Sequence, residues 1–127
     1  MAGPLIVDTD VLVDFLRGNP RAVTFVETHA SRIVLSAIVV SELYAGVKGE
    51  AEQAALDDFV SLFRVVPVDS QIAKAAGLCR RDYGQSHGVG LADAILVGTA
   101  EAEHAELKTL NTKHYPMLGQ LRPAYRK

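Results

Sequence analysis

Short apolar runs alternate along this chain with longer stretches of helical spacing, and that alternation restricts the possible folds more than any other feature. Leu5-Ile6-Val7 and Ile33-Val34-Leu35 are too short for buried helices, and with Arg64 to Val68 they read as buried strands. Pro67 places the third of these at a sheet end or edge. Glu106 to Thr109 reads as a short fourth strand and Met117 to Leu121 as a weak fifth. Between the first two strands, Val11, Leu12, Phe15 and Leu16 recur at helical spacing until Gly18-Asn19-Pro20 stops them, and a second helix carries Val23, Val26 and Glu27. Ser36 caps a helix from about Ala37 to Val47 that is apolar on nearly every side. Beyond the break at Gly49, Ala51 to Phe63 form an amphipathic helix with Leu56, Phe59, Val60 and Phe63 inward. Asp69 or Ser70 caps the next helix, whose Ile72, Ala76, Cys79 and Tyr83 share a face; Gly84 to Gly90 reads as a glycine-punctuated loop, and Leu91 to about His104 as the last helix.

Strands followed each time by helices predict an α/β fold, a three-layer α/β/α domain around a central, mainly parallel sheet of four to five strands. The 127 residues suit a single domain over 1–127. Hydrophobic residues make up 49% and charged residues 22%, which suits a folded core and argues against long disorder. A net charge of -2 supplies no overall basic field for nucleic acid, so any such partner must be met by local charges or by cations. Cys79 is the single cysteine, which excludes an internal disulfide framework and favours a reducing compartment. The opening Met1 to Asp8 meets an acid too soon for a signal peptide, and no apolar run approaches the roughly 20 residues of a membrane span. The expected location is the cytoplasm, with no membrane partner.

Acids in apolar company point to chemistry. Glu42 lies in Ala37 to Gly46, the least polar helix; Asp93 lies among Leu91, Ala92, Ala94 and Ile95; Asp8 ends the first strand. Burying an unpaired carboxylate costs several kcal/mol on the order of magnitude, and these segments hold almost no Lys or Arg to pair with them. A shared cation would serve all three. Asp8 at the carboxyl end of a strand and Asp93 in the first turn of a helix both belong near the rim where open parallel sheets bind ligands. Oxygen donors of this kind suit Mg²⁺ or Mn²⁺, and none of His29, His87, His104 and His114 pairs with another at zinc-ligand spacing. Each acid has a structural alternative: Asp8 as a helix cap, Asp93 as a first-turn acid facing the helix dipole, Glu42 in a buried ion pair.

At these residues the sequence resembles the PIN domain, and specifically VapC-like toxins of type II toxin–antitoxin pairs. Val7 to Asp14, Ser41 to Gly46, Leu91 to Leu96 and Thr109 to Pro116 match the family's motifs in order. The resemblance runs from Leu5 to about Leu121 and implies a PIN-like fold. It further implies a Mg²⁺- or Mn²⁺-dependent endoribonuclease with Asp8, Glu42, Asp93 and Asn111 as site residues, of which Asp8, Asp93 and Glu42 hold the metal. The implied partners are an RNA substrate such as tRNA or rRNA, a small cognate antitoxin contacting early-helix residues such as Leu12, Phe15 and Val26, and a second copy in a homodimer. Asn111 stands where many members have an acid, and its alternative is a turn residue. Asp10 stands where asparagine is usual; it either adds a carboxylate to the metal or orients the Asp8 loop. Basic residues able to track an RNA backbone are Arg17, Arg21, Lys48, Arg80, Arg81 and Lys113, while His114 and Cys79 read as structural.

Two other readings fit parts of the chain. Asp8-Thr9-Asp10 after a strand resembles the opening of haloacid-dehalogenase-like phosphatases, with Asp8 as nucleophile and Asp10 as general acid, but the later lysine and acidic pair are missing. A receiver-type binding module would use Asp69 as phosphoacceptor, yet Lys108 is followed by Thr109 rather than proline.

Overall fold

The structure, a computed structural model, describes residues 3–119 and 121–126. Strands β1 (Leu5–Val7), β2 (Ile33–Ser36), β3 (Val65–Val66) and β4 (Glu106–Lys108) form a sheet in the order β3-β2-β1-β4, each adjacent pair parallel. The helices are α1 (Thr9–Leu16), α2 (Pro20–His29), α3 (Ala37–Ala45), α4 (Gly49–Val60), α5 (Ser70–His87) and α6 (Leu91–Ala102). Together they give the expected three-layer α/β/α arrangement. Leu5, Ile6 and Val7 are all fully buried, covered on both faces, which is why β1 reads as an unbroken apolar run. β3 lies at the edge, as its following proline requires.

The chain path fixes the important crevice. From β1 it steps outward through β2 to β3, then α5 and α6 carry it back to β4 on the other side of β1. Strand order therefore reverses at β1, and the crevice beyond the carboxyl ends of β1 and β4 is the switch point where such sheets bind ligands. Asp8 N donates to Lys108 O at 2.8 Å, so Asp8 and Thr109 leave the sheet side by side.

Two expected elements differ. The helix expected to give way to a loop at Gly84 continues to His87 and ends at Gly88, whose φ of 66° is left-handed. A Cβ on Gly84 would stand 3.3 Å from Arg80 Cγ, so this glycine serves close packing within the helix rather than a turn, and the loop shrinks to Gly88–Gly90. The fifth strand does not form among the described residues. Leu118 N donates to Tyr115 O and Leu121 N to Leu118 O, so these amides close local turns instead of a ladder; Gln120 lies outside the described residues. The segment returns over the sheet nonetheless, with Ala124 N donating to Thr109 O at 2.9 Å. Tyr125 packs against Phe25 and donates its hydroxyl to the buried Asp14 at 2.8 Å.

Candidate active site

Asp8 is the N-cap of α1: its Oδ1 accepts from Thr9 N at 2.7 Å. The capping alternative is thus true of this side chain, but only one of its oxygens is used that way. Oδ2 faces the crevice floor and accepts from Thr109 Oγ1 at 2.8 Å and from the Tyr115 hydroxyl at 2.6 Å. Asp93, in the first turn of α6, approaches the same hydroxyl, its Oδ1 lying 3.1 Å away. Tyr115 is 1% exposed, and the tyrosine oxygen carries a single proton, so one buried hydroxyl serves two carboxylates. Burial foremost, then the Asp8 charge, pushes the Tyr115 phenol far above its ordinary range, so it remains a neutral donor. Burial also raises Asp93, and Asp8 adds to that rise; the Tyr115 hydrogen bond and His114, whose Nδ1 lies 3.4 Å from Asp93 Oδ2, oppose it.

Glu42 is placed differently from the sequence expectation. It is exposed on α3, whose buried residues are Val39 and Leu43, so its apolar neighbours in sequence do not enclose it. It is tied to the rim nonetheless: Thr9 Oγ1 donates to Glu42 Oε1 at 2.7 Å, one residue beyond Asp8. The structure therefore joins Asp8 to Asp93 through Tyr115, and Glu42 to the same helix start through Thr9. Among the described residues no group of three His, Cys, Asp or Glu is close enough to chelate an ion as the side chains stand. Likewise, among the described residues no Lys or Arg forms an ion pair with Asp8, Asp10, Glu42 or Asp93.

Asp10 is a latch. Its Oδ1 accepts from Val11 N at 2.7 Å, and its Oδ2 from Leu110 N at 3.0 Å, Asn111 N at 3.2 Å and Thr109 Oγ1 at 3.2 Å. Burial and then the Asp8 charge raise its pKa, while the hydrogen bonds from Leu110, Val11 and Thr109 oppose the rise. Of the two roles open to it, orienting the loops around Asp8 is the one its bonds perform. Asn111 is exposed and meets Asp10 through its backbone; its side chain does not cap the following turn, Thr112–His114.

Four neighbours of the acids escaped the sequence reading: Thr9, Thr109, His114 and Tyr115. His114, taken there as structural, is an exposed partner of Asp93. Thr109, His114 and Tyr115 all fall in the closing motif, but nothing in their spacing says that a chain turn tucks the Tyr115 ring beneath the acids. The antitoxin contacts also need correction, since Leu12 and Val26 are buried in the core and only Phe15 is partly open. An open groove of about 480 Å³ does lie among α1, α3 and α4, lined by Val13, Leu16, Leu43, Val47 and Leu56 together with the charged Arg17, Glu42, Lys48 and Glu52. Arg21, Arg80, Arg81 and Lys113 are exposed as expected; Arg21 donates to Arg126 O and Arg81 pairs with Asp82. Cys79 packs against the α5–α6 contact.

The PIN domain family matches residues 5–116. Ribonuclease VapC19 of Mycobacterium tuberculosis is 37% identical over 124 residues, 94% of this chain and 98% of that protein. Ribonuclease VapC10 of the same organism is 34% identical over 124 residues, 95% of this chain and 92% of that protein. Among solved structures, a toxin–antitoxin complex from Klebsiella pneumoniae superposes with a TM-score of 0.84 at 25% identity, covering 97% of this chain and 99% of that one. The phosphatase and receiver readings lose their footing. Asp10 is held by backbone amides, and Asp69 caps α5 by accepting from Ile72 N at 2.8 Å.

Proposed function

This chain belongs to the PIN-domain family, and on that premise we propose that it is a Mg²⁺- or Mn²⁺-dependent endoribonuclease, the toxin of a toxin–antitoxin pair, acting as one domain over residues 1–127. The observation that carries the reading is the meeting of Asp8 and Asp93 on one buried hydroxyl at the switch point of the sheet, with no Lys or Arg paired to either among the described residues. Two carboxylates so held, with Glu42 tied to the same helix start through Thr9, are a site of surplus negative charge. Their all-oxygen donors suit a hard divalent cation, and Asp93, raised by burial first and by the Asp8 charge after it, is a carboxylate whose ionised form such a cation would favour.

In this reading Asp8 and Asp93 hold the ion and Glu42 binds it directly or through water. Mg²⁺ or Mn²⁺ bound there supplies a water of lowered pKa and positive charge against the scissile phosphate. The chain's own part is positioning. Thr109 and Tyr115 fix the Asp8 carboxylate from the crevice floor, Thr9 steers Glu42, and Asp10 holds the β4 exit against α1. Asn111 completes the rim as a polar contact for RNA, and Arg17, Lys48 and Lys113 offer charge to the phosphate backbone. Cleavage of structured RNA by purified protein in Mg²⁺ or Mn²⁺, abolished by EDTA and by Asp93→Asn, is the expected result. Undiminished cleavage by either of those samples overturns the reading.

The partner belongs to the same proposal. A small antitoxin would seat apolar side chains in the groove among α1, α3 and α4 and turn an Arg or Lys toward Glu42 at its end, a charge-assisted contact. A homodimer would cover exposed Leu78 and Leu91 on the α5–α6 side. Co-purification from the native cell, with and without Leu16→Glu in the groove, tests the first; light scattering of Leu91→Glu tests the second.

A further inference from the structure

We propose that Tyr115 is a positioning residue whose hydroxyl holds Asp8 and Asp93 from the protein side in the alignment that a divalent cation requires. The proposal rests on the metal-dependent reading above and deepens it. Its basis is geometric. The ring is buried, so the hydroxyl reaches Asp8 Oδ2 and Asp93 Oδ1 from beneath the crevice, at 2.6 and 3.1 Å. Asp8 Oδ2 also accepts from Thr109, so this oxygen is saturated from below, while Oδ1 accepts from the Thr9 amide. A carboxylate offers about four lone-pair directions. Asp8 therefore keeps one free, and Asp93, 28% exposed along its side chain, keeps its solvent side open.

Without the hydroxyl, nothing else in the described residues links the two acids. Asp8 would keep Thr9 and Thr109, but Asp93 would keep only His114, which is itself exposed. The Asp93 side chain would then be free to turn outward, away from the Asp8 charge. Partners of this kind, standing behind metal ligands, typically change metal affinity by about 10–100-fold when removed.

The test is the Mn²⁺ dissociation constant of wild type, Tyr115→Phe and Asp93→Asn, read from the spectroscopic signal of free Mn²⁺. Phe keeps the ring and removes only the oxygen; a thermal melt of the metal-free variant checks that it folds. Wild-type binding, weakened at least about 10-fold in Tyr115→Phe, is the expected result. Equal or tighter binding by a folded Tyr115→Phe overturns this inference alone. Failure of wild type to bind, or full binding by Asp93→Asn, overturns the metal reading itself and this inference with it. Should Tyr115→Phe not fold, Thr109→Val and Thr109→Ser decide instead. Affinity that falls with Val and survives with Ser supports positioning from the crevice floor, and equal affinity in both overturns it.

Discussion

Thr9 Oγ1 donates to Glu42 Oε1 at 2.7 Å, joining the first turn of α1 to the middle of α3 across 33 residues of sequence. The bond is exposed, so its contribution to stability is small, about 0.5 kcal/mol or less. Its consequence is orientation. Thr9→Val is expected to leave the melting temperature within about 2 °C of wild type while lowering single-turnover RNA cleavage, and Thr9→Ser to restore it. Full activity in a Thr9→Val protein would show that Glu42 needs no steering.

Asp93→Asn separates a metal-binding acid from a helix-dipole acid. Burial and the neighbouring Asp8 raise the Asp93 pKa, so its ionised form costs folded-state stability. The metal-free Asn variant should match or exceed wild type in thermal stability at neutral pH, lose cleavage, and respond little to Mg²⁺. A dipole acid predicts instead a loss of about 0.3–1 kcal/mol with catalysis intact.

The same shift sets a pH dependence. An acid whose folded pKa lies above its ordinary 3.8 binds its proton more tightly folded than unfolded. Metal-free wild type should therefore gain stability relative to Asp93→Asn as pH falls through the window just above 3.8, and the gain should level off below it. Parallel stability curves of the two proteins across that window would contradict the assignment.

Asp10→Ala and Asp10→Asn test the latch. Alanine leaves the amides of Val11, Leu110 and Asn111 without this acceptor, costing about 1–3 kcal/mol, whereas the single oxygen of Asn still accepts from Leu110 and Asn111 and only the Val11 bond is lost. Asp10→Asn is expected to fold and cleave RNA nearly as wild type. A cleavage loss in Asp10→Asn as deep as that of Asp93→Asn would make Asp10 a ligand after all.

Tyr125→Phe removes one donor to buried Asp14, where α1 meets the C-terminal segment. A hydrogen bond to a charged group contributes about 1.5–3 kcal/mol, so a lower melting temperature is expected with Mn²⁺ affinity unchanged. Weakened Mn²⁺ binding in this variant would couple the C-terminal segment to the site.

The sequence by itself determined the layers and the candidate acids. Periodicity is a local property: Leu5-Ile6-Val7 has no polar face to show water, and Ile72, Ala76 and Tyr83 recur on one side of a helix whatever they pack against. The rarity of basic residues around Asp8 and Asp93 was equally local, and it marked them before any contact was known. Only the tertiary structure decided which groups meet. Gly88 rather than Gly84 took the left-handed φ that ends the helix, and the amides of Leu118 and Leu121 closed local turns rather than extending the sheet. Glu42 came out exposed because α3 turns Val39 and Leu43 to the core, a choice its nearly uniform apolar sequence leaves open. Tyr115 reached Asp8 across 107 residues because the reversal of strand order sets β4 beside β1, so that the chain leaving β4 turns back beneath the acids. A hydroxyl's partner is set by where two distant segments cross, and spacing along one segment carries no record of that crossing.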